Sequence, residues 1–245
     1  MIVGKGLLAR AFEPHFGEDS DVIVFGSGVS NSLETMRSEF DRETALLTDW
    51  LGREASRFIY FSSCGVAADD AELTPYMRHK QAMESLVLSA SNGLVLRLPQ
   101  VVGSTTNHHT LTNFLRDRIV SGEHFTVWAR AERNLIDVDD VVKIGVGLAT
   151  QVPAQTAAVS IAATQSMLMP EIIRIFERTL GKAANCSYVE RGVPMIIDTS
   201  VIESMSASLG VDLGGGYIEH VIDKYYAADR RHSFGEVSPI LASRT

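Results

Sequence analysis

The sequence predicts an α/β protein built on a doubly wound parallel sheet, and three observations carry that prediction. Short apolar runs alternate with stretches of helical spacing, β-α-β-α-β-α-β, from the first residue to Leu98. One run, Val22-Ile23-Val24-Phe25, is apolar throughout, as expected of a strand covered on both faces. A glycine turn, Gly4-Lys5-Gly6, stands between the first run and the first helical stretch. A chain of 245 residues suffices for one such domain with a small appendage.

Taken in order, Met1 to Val3 reads as a very short strand, and Leu7 to Phe16 carries helical spacing. Almost nothing separates Gly17 from the second strand, Val22 to Phe25, which Gly26-Ser27-Gly28 closes. Ser32 to Arg53 is predicted helical, with Leu46, Leu47, Trp50 and Leu51 on one face. Arg57 to Phe61 is the third strand. Thr74 is a plausible N-cap with Pro75 at the first helical position, so a helix is expected from Pro75 to Ala90. Leu94 to Leu98 is the fourth strand. Beyond Gly103 the rhythm changes: a polar loop from Ser104 to His109, an amphipathic stretch from Leu111 to Val120, and an isolated strand at Phe125 to Trp128. Asp137 to Leu148 reads as a strand end running into a helix, Val159 to Ala162 as a late strand, and Met169 to Leu180 as a helix. Glycines 214–216 precede a last helix, Tyr217 to Tyr226, and Arg230 to Thr245 is expected to be loosely ordered. These changes divide the chain into a core, 1–104, and a mixed remainder, 105–245, that holds late core elements and a substrate-binding part.

Composition excludes several classes. A formal net charge of −8 argues against a nucleic-acid binder. Two cysteines, Cys64 and Cys186, support no disulfide framework. No run is long enough to cross a bilayer and the start of the sequence has no secretory pattern, so a cytoplasmic protein is expected.

Two motifs carry chemistry. Gly4-Lys5-Gly6-Leu7-Leu8-Ala9 fits G-x-G-x-x-G/A between a strand and a helix, where glycines admit a pyrophosphate and free N–H groups meet it. A tight strand-to-helix turn would use the same residues. Tyr76 and Lys80, at i and i+4, share a helix face a short loop after Ser62-Ser63. An ammonium near a phenol stabilises the phenolate, and a nearby serine can orient a substrate oxygen. Tyr-x-x-x-Lys alone is common on ordinary helices. Other candidates are weaker. Asp137, Asp139 and Asp140 suit a helix cap better than a metal, so no metal is expected. His108-His109 lack partners at ligand spacing. Cys64 reads as a buried strand-end thiol, with no His/Asp set placed to activate it.

Taken together and in order, these segments resemble the extended short-chain dehydrogenase/reductases, in their nucleotide-sugar epimerase/dehydratase branch. GKGLLA is similar to that family's glycine turn, RFIYFSSCGV to its catalytic strand end, and TPYMRHK to its Tyr-x-x-x-Lys helix; LVLRLPQVVG and RNLIDVDDVV resemble later blocks. The resemblance runs from Met1 to about Ile144. It implies a Rossmann-like sheet and NAD or NADP as cofactor. It makes Tyr76 the acid/base, Lys80 the residue that lowers its pKa and holds the ribose, and Ser63, rather than Ser62, the catalytic serine. Gly4, Gly6, Leu7, Leu8, Gly26 and Ser27 would flank the cofactor's phosphates, with Pro99 and Val101 to Val102 at the nicotinamide end. Gln100 and Arg133 would meet the diphosphate of a nucleotide-sugar substrate.

The family's second β-α-β segment has no counterpart here, nor does the acidic residue that accepts the adenosine ribose. The first strand is therefore expected at a sheet edge, and NAD and NADP stay open. The loop from Ser63 to Tyr76 is short. Ser63-Cys64-Gly65 lacks the Asp-Glu pair of the family's dehydratases, which weighs against dehydration and favours epimerisation or keto-sugar reduction. The resemblance further implies surface-polysaccharide precursor synthesis and a homodimer through the Tyr76 helix and the Ser32–Arg53 helix. A protein that kept the fold as a nucleotide-binding or partner subunit is the other reading.

Overall fold

The computed structural model describes residues 1–67, 73–151 and 156–229. Five parallel strands form the central sheet. They are β1 (Ile2–Val3), β2 (Val22–Phe25), β3 (Arg57–Ser63), β4 (Gly93–Leu98) and, much later in the chain, β9 (Ala157–Ser160), in the spatial order β1-β2-β3-β4-β9. Register is continuous along the sheet: Val3 lies opposite Phe25, Phe25 opposite Tyr60, Tyr60 opposite Val95 and Val95 opposite Ala158. The fold is the expected Rossmann-like α/β class. β1 stands at the edge of the described sheet, as the lack of a second β-α-β segment requires.

Helices cover both faces. On one, α1 (Leu7–Phe16) places Phe12 and Phe16 against Val24, Ile59, Phe61 and Leu96. On the other, α2 (Arg37–Leu51) and α3 (Pro75–Ser89) place Leu47, Met83 and Val87 against Ile23, Phe25, Phe58 and Tyr60. The alternation of side chains along each strand builds both cores at once. It has a topological consequence. The strand order advances steadily from β1 to β4, yet α1 lies on the opposite face from α2 and α3. The β1-α1-β2 crossover therefore has the opposite hand to β2-α2-β3 and β3-α3-β4. Nearly all such crossovers are right-handed, so the exception is the unit beside the missing segment. The strand that would normally receive α1 is gone, and the chain turns at 17–21 directly into β2.

The remainder adds β5 (Gln100–Val102), α4 (Leu111–Ser121), β6 (Phe125–Trp128), β7 (Glu132–Arg133), β8 (Leu135–Asp137), α5 (Val138–Ala149), β10 (Met167–Leu168), α6 (Met169–Leu180), β11 (Cys186–Val189), α7 (Ser200–Ser208) and α8 (Tyr217–Tyr226). α5 lies beside α1, and Gly145 brings it within reach of Phe12 and Leu96, so this half shares the α1 core. Phe125–Trp128, expected as an isolated strand, pairs in parallel with β11. The helix expected from Ser32 begins only at Arg37. Asn31 accepts the Leu33 N–H at 3.0 Å and Glu34 accepts those of Thr35 and Met36 at 2.9 Å, satisfying backbone donors outside a helix. The loop from Ser63 to Tyr76 lies partly, and the segment from Arg230 wholly, outside the described residues.

Candidate active site

The glycine turn is held by contact with the loop after β2. Gly4 has φ +120°, and a Cβ there would meet the Gly26 carbonyl oxygen at 2.6 Å. Gly26 in turn lies so close to Ala9 that its own Cβ would stand 3.0 Å from the alanine methyl. Gly6 caps α1 in an extended conformation with no side-chain hydrogen bond. The first-turn N–H groups of α1, from Leu7 and Leu8 onward, thus begin a helix with no capping side chain, a geometry suited to a phosphate. Ser27 and Gly26 border the turn, and the Ser27 carbonyl accepts from Arg42 at 3.4 Å.

Ser63 ends β3 and Tyr76 begins α3, where Thr74 caps the helix by accepting the Met77 N–H at 3.2 Å. This cap and Pro75 aim the first turn so that Tyr76 is buried near Ser63, whose side chain lowers the Tyr76 phenol against the effect of burial. Ser63 Oγ also accepts the Gly65 N–H at 3.2 Å. Ser62 points to the other side, its Oγ buried without a partner among the described residues.

The resemblance implies that Lys80 lowers the Tyr76 pKa; in this structure burial, then the Glu43 charge, push the Tyr76 phenol up to about 12, and the Ser63 side chain opposes them. Glu43, the second cause after burial, is a residue of α2 that is itself fully buried. Its Oε1 lies 3.0 Å from Lys80 Nζ and 2.7 Å from the Tyr60 hydroxyl. Its Oε2 accepts the Val29 N–H at 2.6 Å and sits 3.0 Å from His79 Nε2. Lys80 also donates to Tyr60 at 2.9 Å. Burial alone would raise the Glu43 carboxyl, but the His79 hydrogen bond, the Lys80 charge, the Tyr60 hydroxyl and the Val29 N–H together hold it down at about 2. Gly28 closes the cluster: a Cβ there would stand 2.8 Å from both Glu43 Oε1 and Lys80 Nζ.

Gln100 lies on β5 with its side-chain oxygen buried and without a partner among the described residues, and its N–H donates to the Asn134 carbonyl at 3.1 Å, beside Arg133. Pro99 and Val101 are half-buried next to it, while Val102 is fully packed. Arg133 lines an open cleft of about 390 Å³ with Trp128, Ala131, Arg191, Gly192 and Val193. Burial lowers the Arg133 guanidinium from its ordinary value. Ser63, Tyr76 and Lys80 do not line this cleft.

Sequence reasoning missed Glu43, Gly28, Trp128 and Arg191. Glu43 did leave a signal, standing one helical turn before the core residue Leu47 on the same face. Arg191 is placed by Gly192, whose φ of +109° brings it against Ala131. The three aspartates are taken by α8: Asp137 accepts from Lys224 at 2.6 Å and Tyr225 at 2.7 Å, Asp139 from Lys224 at 2.7 Å, and Asp140 from Tyr217 at 2.7 Å. Asp137 also caps α5. His108 pairs on the surface with Asp117. The Cys64 thiol is buried and pushed up to about 12, first by desolvation.

A parallel Rossmann-like sheet with a glycine turn at its first helix and a Ser…Tyr-x-x-x-Lys set after its third strand defines a short-chain dehydrogenase/reductase-type arrangement. The chain belongs to the NAD dependent epimerase/dehydratase family, whose model matches residues 22–162. No curated protein matches the sequence. Among solved structures it is similar to MoeE5 in complex with UDP-glucuronic acid and NAD, at 18% identity and TM-score 0.67 over 87% of this chain and 80% of that one. It is similar to UDP-glucuronic acid 4-epimerase from Bacillus cereus with UDP-glucuronic acid and NAD, at 16% identity and TM-score 0.67 over 93% and 79%. RMD from Pseudomonas aeruginosa, complexed with NADPH, matches at 19% identity and TM-score 0.63 over 86% and 81%.

Proposed function

We propose that the protein is an NAD(P)-dependent oxidoreductase or epimerase acting on a nucleotide-activated sugar, in surface-polysaccharide precursor synthesis. The observation that carries this reading is the buried Tyr76 hydroxyl paired with Ser63 at the carboxyl end of β3, the end of a parallel sheet where such folds bind ligands. Residues 1–104 then hold the cofactor, and the later part supplies the substrate's nucleotide contacts. The glycine turn fits a dinucleotide pyrophosphate, with the N–H groups of Leu7 and Leu8 as donors and no side chain in the way: a Cβ on Gly6 would meet nothing nearer than 3.9 Å. The ribose end fits less well, since Lys80 is already committed to Glu43 and Tyr60.

A nicotinamide, when bound, supplies or accepts hydride. The protein's own part is the proton: Tyr76 Oη gives one to, or takes one from, the sugar oxygen, and Ser63 orients that oxygen. Arg133 and Arg191 suit a diphosphate, for which a guanidinium fork matches the oxygens, and Trp128 offers a flat face to a base. A homodimer through α2 and α3 is part of this reading.

Replacing Tyr76 by Phe tests it. Turnover on nucleotide sugars, followed by nicotinamide absorbance, should fall by about 10²–10⁴-fold while nucleotide affinity holds. Unchanged turnover would remove the mechanism. The second reading, a nucleotide-binding or partner protein that kept the fold, is favoured by the occupied Lys80 and the edge position of β1.

A further inference from the structure

Glu43 has no place among the roles that the resemblance implies, yet it occupies the middle of the candidate site. Lys80 Nζ lies 5.8 Å from the centre of the Tyr76 ring and only 3.0 Å from the Glu43 carboxylate. Both ions are buried, so little solvent screens them, and the carboxylate offsets at Tyr76 much of the field that the ammonium alone would exert. The other charged and titratable neighbours do not restore it. Tyr60 on β3 and His79 on α3 are both hydrogen-bonded to Glu43. Glu84 on α3 is locked to Arg97 of β4 by three contacts, at 3.0, 3.2 and 2.6 Å, so that pair is also balanced. Cys64, after β3, stays a thiol.

We propose that Glu43 is a positioning residue, the built-in counter-charge of Lys80 that keeps Tyr76 a proton-bearing phenol and so turns the site toward protonating a carbonyl oxygen, the reduction of a keto sugar. This deepens the function proposed above and rests on it. An epimerase must first take a proton from an alcohol, for which a phenolate is needed; a ketoreductase needs a phenol at rest. In the reductive step the carbonyl carbon gains a hydride, with reduced nicotinamide dinucleotide as the co-reactant. The C=O π bond opens, the Tyr76 O–H bond breaks, and its proton goes to the carbonyl oxygen. Tyr76 recovers a proton from solvent. The high pKa of the Tyr76 phenol agrees with this role.

The test is an NMR titration of the full chain with ring-labelled tyrosine, the Tyr76 signal being identified by its loss in Tyr76→Phe. Glu43→Gln should lower the Tyr76 midpoint by at least about one pH unit. The double variant Glu43→Gln/Lys80→Met removes both charges in near-isosteric form and should return the midpoint to the wild-type value; it also keeps the test alive if the single variant does not fold. An unchanged midpoint in Glu43→Gln, or a double-variant midpoint well above the wild type, would overturn the proposal. With keto and alcohol substrates, Glu43→Gln should extend alcohol oxidation to lower pH. The two readings fail separately: full turnover by Tyr76→Phe would sink the proposed function, whereas the titration judges Glu43 alone.

Discussion

Glu43 is fully buried and touches four partners from three other segments: the Val29 N–H, Tyr60, His79 and Lys80. A charge so placed is costly to leave unpaired, so truncation on either side exposes the other. Glu43→Ala should destabilise the protein by about 3–5 kcal/mol in urea unfolding, chiefly by stranding the Lys80 ammonium. A loss of under about 1 kcal/mol would mean that the cluster is solvated. The same residue sets an acid limit. Its carboxyl is held at about 2 in the fold against 4.5 for a free glutamate. A group with a depressed folded pKa stabilises above its unfolded value, and that contribution is lost as pH falls from about 4.5 toward 2. The urea midpoint should therefore decline through that window in the wild type and decline less in Glu43→Gln. Equal slopes in the two proteins would contradict the assignment.

At the scale of elements, much was legible. Leu7–Phe16, Val22–Phe25, Met169–Leu180 and Tyr217–Tyr226 form where periodicity and glycine punctuation place them, because the helices bury a local stripe on one face and the strand a continuous apolar run. What stayed hidden depends on distant partners. β11 is a strand because β6 lies beside it, and none of its four residues is buried, so it shows no apolar run. α7 contains four serines and buries only Ile202 and Ser206, too few to leave a helical stripe. Of the candidate site, the glycine turn and the Ser63–Tyr76 pair could be read from residue types at short spacing. The Glu43–Lys80 pair bridges two helices, and no local pattern encodes such a contact.

The glycine turn separates a structural from a binding role at two positions, on either side of Lys5. Gly4→Ala forces a side chain into a left-handed backbone and against the Gly26 carbonyl, so the fold should lose stability. Gly6→Ala meets nothing within 3.9 Å and should leave the melting temperature nearly unchanged while weakening dinucleotide binding. Equal binding by Gly6→Ala and the wild type would show that no pyrophosphate approaches this turn.

For the whole molecule, the decisive feature is the short connection at 17–21, which takes α1 straight into β2 and leaves β1 at the edge of the described sheet. The sheet keeps the half of the fold that carries Ser63, Tyr76 and the glycine turn, and among the described residues it has no strand beyond β1 to offer an acidic anchor to an adenosine ribose. A cofactor held mainly by its pyrophosphate and nicotinamide ends should exchange readily, which suits a reductase that releases oxidised cofactor each turn. Calorimetric titration of the purified chain with NAD, NADH, NADP and NADPH, after assay for co-purified nucleotide, tests this account most directly. It predicts saturable binding of at least one of the four, weakened in Gly6→Ala. Absence of binding to all four, with no nucleotide released on denaturation, would contradict it and leave a fold that kept Tyr76 without the chemistry it serves.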